Sequence, residues 1–174
     1  MRHRLGLLAL TLLLGALALP ATTWAGASNS NAPGDFVVGG GENNPPEPAP
    51  VNHFAVNGHS DSDGSNPFGE AHFIDTVNKP VRRFNGEVVC VNVNGNRATI
   101  VFQFRNTLNQ PAPLQDGWDI MFVEDNGDPV GGQSPDFVAN DLHPSTDPVA
   151  DCRTAPFRRA ANPLTSGNVQ VHDG

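Results

Sequence analysis

The stretch Gly86–Arg105, GEVVCVNVNGNRATIVFQFR, constrains the fold of this chain more than any other. Two β-rich runs flank Asn94-Gly95, and an Asn-Gly step between alternating apolar residues is the strongest short-range hairpin signal. With Asn94 and Gly95 as the loop, Val93 stands opposite Asn96, Val91 opposite Ala98, Val89 opposite Ile100 and Glu87 opposite Phe102. Side chains alternate along a strand, and directly paired residues share a face. One face therefore gathers Val89, Val91, Val93, Ala98, Ile100, Phe102 and Phe104, with Glu87 at its end, and reads as the core face. The other, mixed face holds Val88, Cys90, Asn92, Thr99, Val101, Gln103 and Arg105. A one-residue slip would expose the apolar set, so the pattern specifies the register.

Helical periodicity is missing from Val51 onward, and short β-rich runs take its place. They fall at His53–Gly58, Ala71–Val77, Trp118–Glu124, Phe137–Ala139 and Asn168–His172, besides the central pair. Asp125-Asn126-Gly127-Asp128 gives a second hairpin signal. The expectation is an all-β domain over residues 51–174, a single antiparallel sandwich or barrel of about seven to nine short strands. Residues 26–50, rich in Asn, Gly and Pro, read as a flexible linker with room for one short strand at 35–38.

The N-terminus has the pattern of a secretory signal peptide. Arg2 and Arg4 precede an apolar run, Leu5–Leu19, and Ala25-Gly26-Ala27 offers cleavage after residue 25 or 27. The run is shorter than the roughly 20 residues of a spanning helix, so no membrane insertion is expected after cleavage. The whole chain has 10 Lys+Arg and 18 Asp+Glu; losing Arg2 and Arg4 leaves eight basic groups against 18 acidic ones, a net charge of −10. Such a surface repels nucleic acid. Export also places the two cysteines where disulfides persist, and Cys90 with Cys152 is the sole possible pair. Because Cys90 lies on the mixed face, the bond would clasp Asp151–Pro156 across the back of the hairpin.

Chemistry is sparse. The sequence has no G-x-S-x-G, H-E-x-x-H or S-x-x-K and no phosphate-binding glycine loop. The loop SDSDGSNP places Asp61, Asp63, Ser65 and Asn66 close together with Glu70 nearby, an oxygen-rich set of the kind calcium takes. A plain turn explains the same residues. Of the six histidines, the five outside the expected signal peptide, His53, His59, His72, His143 and His172, read as scattered over the surface. Tyr is absent, and the 10 Phe read as core filling.

The strings FAVNGH (54–59), VVCVNVNGNRATI (88–100), FVEDNGDP (122–129), PDF (135–137) and PLTSGNVQVHDG (163–174) occur in that order. Together they resemble a group of small exported bacterial all-β proteins for which no activity is established. The resemblance implies export and an all-β fold and carries over no catalytic residue. In that group the loop matching Ser60–Gly69 is rich in Gly, Ser, Pro and Asn, and the paired aspartates here depart from it.

The expected function is a secreted, non-catalytic binding or structural module, outside the cell or in the envelope, with no partner identified. Two alternatives stay open. One is a calcium-dependent module using the 60–70 loop. The other is a hydrolase with an unrecognised site, which needs side chains such as His59, His72, Asp75 or Glu87 to converge in one cleft.

Overall fold

A computed structural model describes residues 34–43, 52–111, 115–131, 133–143, 149–154 and 162–174. The expected signal peptide (1–25) and most of the expected linker (26–33 and 44–50) lie outside the described residues. The strands, in chain order, are β1 Phe36–Asn43, β2 Asn52–His59, β3 Phe68–Asp75, β4 Arg82–Asn94, β5 Arg97–Leu108, β6 Trp118–Glu124, β7 Phe137–His143 and β8 Asn162–His172. A six-residue helix, α1 Val149–Thr154, precedes β8. Each strand pairs antiparallel with the next, and β8 returns to β1, so the sheet closes into a barrel. Closure settles barrel over sandwich and removes the exposed edges of an open sheet.

An eight-stranded barrel is just wide enough for side chains to fill it. Here Val37, Phe54, Phe73, Phe84, Ile100, Phe102, Met121, Val138 and Val169 are among the buried residues of the interior core. Phe73, Phe84, Phe104 and Phe102 run in tilted and edge-on contacts with centroids 4.8–6.0 Å apart. Burying a side chain of this size contributes about 1.5–3 kcal/mol, the main term holding the barrel together.

The central hairpin keeps its expected faces only in its upper half. Its loop is Gly95-Asn96, one residue later than expected, and Asn94 pairs with Arg97. Gly95 alone takes a positive φ, +61°, as a glycine-first turn requires. The resulting shift is even, so Val91, Val93, Ala98, Ile100, Phe102 and Phe104 still face the interior. Between Val88 and Cys90 the ladder slips by one at a bulge. Below it the faces exchange: Val88 enters the core, while Val89 packs with the outer cluster and Glu87 turns out to solvent. Glu87 is thus not on the core face. A bulge adds one residue to one strand and inverts parity beyond it.

The barrel begins at β1, earlier than the expected boundary at Val51, and the strand foreseen at 35–38 runs to Asn43. A Cβ on Gly39 or Gly41 would collide with the backbone carbonyls of Asn168 and Ser166 on β8. Gly39-Gly40-Gly41 therefore permits close strand approach, and it carries no apolar alternation that marks a strand in sequence.

Cys90 and Cys152 form the expected disulfide across 62 residues. In the chain-entropy account, closing such a loop is worth about 4 kcal/mol. The bond docks α1 on the outside of the barrel, where Cys90, Val101, Ile120, Phe122 and Cys152 make a second buried cluster. Asn92 Nδ2 donates to the Cys152 carbonyl at 2.8 Å and secures the same contact.

One seam is closed by side chains. Strand β8 pairs with β1 along most of its length but with β7 at only Phe137↔Pro163 and Val138↔Asn162. Beyond that point Asp136 Oδ2 accepts from Val169 N at 3.0 Å, and Asp125 Oδ2 accepts from Val171 N at 3.0 Å. The other Asp136 oxygen accepts from Asn126 N at 2.9 Å. The residues 125–136 are consequently a long connection, not the tight hairpin that Asp125-Asn126-Gly127-Asp128 signals. Its aspartates stand in for a neighbouring strand.

Candidate functional site

At the end of the barrel where β1 finishes and β2 starts, the register gathers polar residues. Asn43 pairs with Asn52, and Asn52 pairs with Asp75. Phe54, Phe73, Val138 and Leu164 belong to the interior core. Asn52, Asp75, Asn140 and Asn162 each lie two residues from one of them, on the same face and one step nearer the opening. With Asn43, Phe73, Val77 and Asn78 they line a cavity of about 250 Å³.

Asp119 lies behind this mouth on β6, in phase with Met121, and is completely buried. Asn140 Nδ2 donates to its Oδ2 at 2.8 Å. Burial pushes its pKa up to about 7; the hydrogen bonds from Asn140 and from the Asp141 backbone oppose that rise, and the Asp141 charge adds to it.

Four oxygens here, Asn43 Oδ1, Asn52 Oδ1, Asn140 Oδ1 and Asp119 Oδ1, are buried without a hydrogen-bond partner. Buried polar groups are almost always satisfied, and each exception costs about 1–3 kcal/mol. Among the described residues these four gather at one opening, while other unpartnered buried atoms, such as Ser60 Oγ and Thr99 Oγ1, lie apart from it.

A wider groove of about 480 Å³ crosses the outside of β3, β4 and β5, lined by Glu70, His72, Asn85, Glu87, Arg105 and Asn106 among others. Arg105 follows the inward-facing Phe104 and so faces this groove, beside a second bulge between Asn85 and Gly86. Glu70 and Glu87 are cross-strand partners, an unfavourable pairing of like charges. Arg105 bonds Glu87 Oε2 at 2.7 and 3.1 Å, and His72 Nε2 lies 3.6 Å from Glu70 Oε2. His72 Nδ1 also meets Asn85 Oδ1 at 2.9 Å. Of the four residues that a hydrolytic cleft would need, His72 and Glu87 share this groove, whereas Asp75 lines the mouth.

His59 lies elsewhere, in a ring row across four strands. His172 stacks on Phe36 at 4.9 Å, His59 lies 6.1 Å from Phe36, and His59 stacks on Phe68 at 4.9 Å. These histidines are therefore not scattered, because register across the β8–β1–β2–β3 face aligns them.

The acidic loop keeps four of its five expected ligands together. Asp61 Oδ2 accepts from Ser65 Oγ at 3.0 Å and from Asn66 Nδ2 at 2.6 Å. Asp63 Oδ1 accepts from Ser65 N at 2.8 Å. Hydrogen bonds from the Ser65 side chain and backbone hold the Asp63 carboxyl below its ordinary range. Glu70 is separate and faces His72 in the outer groove. Among the described residues no three His, Cys, Asp or Glu side chains form a metal-binding group.

Comparison with protein-family models, with curated proteins and with solved structures finds no match to this chain. The mouth leaves no pattern in the sequence. Its asparagines look like turn residues until the strands are seen to converge. Asp119 carried a visible signal: a lone acid inside the apolar run of β6, in phase with two core positions.

Proposed function

We propose that this chain is an exported, non-catalytic binding module, a rigid barrel that takes a small ligand at its asparagine-lined mouth. The cluster of four unpartnered buried oxygens around one cavity carries this reading. The packed interior supports it, since the apolar core fills the barrel and the ligand is met at the end. The disulfide suits an oxidising compartment, and the leader-like N-terminus suits export.

The test is thermal melting of the disulfide-intact chain against a panel of small polar compounds. A ligand that binds only the folded state raises the midpoint in proportion to the logarithm of its concentration. The expected result is a rise in the wild type that Asn52→Leu abolishes. A crystal structure with the mouth sealed by the chain's own side chains, together with no rise from any compound, would return the barrel to a structural role.

A further inference from the structure

The mouth carries enough chemistry to name a ligand class, an inference that rests on the binding reading above. Its lining holds five carboxamides, from Asn43, Asn52, Asn78, Asn140 and Asn162, and one carboxylate, from Asp75. That carboxylate is already committed: Oδ1 accepts from the backbone amides of Val77 and Asn78, and Oδ2 accepts from Asn78 Nδ2. It holds the β3–β4 turn and is poorly placed to serve as a charged ligand. The lining residues include no Lys, Arg or His. The available surface is therefore neutral, with a donor and an acceptor on each side chain.

Orientation narrows the choice. Asn140 Nδ2 donates to Asp119, which fixes the Asn140 amide with Oδ1 as its free acceptor. Asn43 is 98% buried by accessible area (2% exposed), and its Oδ1 also lacks a donor, as does Asn52 Oδ1. A ligand that replaces water at these acceptors brings donors to them and accepts from the remaining amide hydrogens. Hydroxyl groups do both. A hard cation would lack a free carboxylate among the lining residues, and an anion would face carbonyl oxygens with no countercharge. The cavity, of about 250 Å³, opens to solvent and has room for one ring. Phe73 supplies an apolar surface at the same opening.

From this we infer that the mouth binds a small, neutral, polyhydroxylated ring, of the size of a monosaccharide or a cyclitol. The exported chain, disulfide intact and labelled with nitrogen-15, is titrated with neutral monosaccharides and cyclitols, and separately with calcium chloride, sodium phosphate and acetamide. The expected result is that the side-chain amide signals of Asn43, Asn52 and Asn140 move with a polyol, and that Asn52→Ala and Asn140→Ala each weaken that binding about tenfold. Movement with calcium, phosphate or acetamide and with no polyol overturns the ligand class and leaves the binding module standing. Polyol binding that is unchanged in both variants overturns this site. Silence of these signals toward every probe overturns both the ligand class and the binding reading. The folded state of each variant is checked by its backbone amide spectrum, so loss of binding is separated from loss of fold.

Discussion

The two ends of the barrel differ in how fully their polar side chains are bonded. At the end holding the Gly95-Asn96 turn, carboxylates are consumed by backbone amides: buried Asp136 takes Asn126 N and Val169 N, half-buried Asp125 takes Val171 N and Gly127 N, and buried Asp35 takes Gly174 N. At the asparagine-lined end Asp75 is satisfied in the same way, but four buried oxygens there have no partner, against Ser60 Oγ beside Asp35 at the other end. A satisfied buried acceptor holds the fold, while an unsatisfied one is tolerated at a cost and points outward to a partner. The contrast predicts substitutions of opposite sign at the two ends.

The largest effect belongs to Asp136. Asp136→Ala leaves the buried Val169 N–H and the part-buried Asn126 N–H open and unzips the side-chain seam beside β8, at a cost of about 3 kcal/mol. In melting experiments this lowers the midpoint by roughly 10 °C. Asp125→Ala removes the partners of Val171 N and Gly127 N in a less buried place and costs about half as much. If both variants melt within error of the wild type, the carboxylates do not close the seam.

Asp119 gives the next effect, and its sign follows from linkage. Burial raises the folded pKa from 3.8 to about 7. Below about pH 4 the carboxyl is protonated in both states, and the favourable contribution is complete. Between about 4 and 7 only the folded state keeps the proton, so stability falls as pH rises, by roughly 1 kcal/mol per pH unit, and levels off above about 7. Asp35, whose pKa burial also raises, acts in the same direction, so the informative quantity is the difference between wild type and Asp119→Asn. That difference should be small near pH 4 and grow to a clear gain in midpoint for Asp119→Asn at pH 8. A difference independent of pH would show that Asp119 is not held in a raised-pKa state.

The hairpin shows how far sequence reasoning reaches. Strand β6 was legible to the residue, Trp118–Glu124, because Gly117 and Asp125 bound an apolar run. The faces of the central hairpin were legible as far as the bulge at Val88–Cys90. Beyond it they were not, because valines at 88, 89 and 91 satisfy either parity and leave nothing in the alternation to locate the extra residue. β1 hid behind its glycines, and α1 is too short to show a helical period. The disulfide was legible because two cysteines allow one pairing. The mouth was not, since it draws one or two residues each from β1, β2, β3, the β3–β4 turn, β7 and β8. Only closure of the sheet makes them neighbours.

The smallest expected effect decides the comparison by its sign. Asn52→Leu replaces a carboxamide whose oxygen has no partner with an apolar group of similar shape, which is neutral or stabilising where a satisfied group would be costly to lose. The unliganded variant should melt at the wild-type midpoint or a few degrees above it, a change within about 1 kcal/mol, whereas Asp136→Ala melts well below. A loss at Asn52 comparable to that at Asp136 would mean that its oxygen is bonded in the folded chain. The two ends would then be alike, and the mouth would be part of the structure and no longer a site open to a partner.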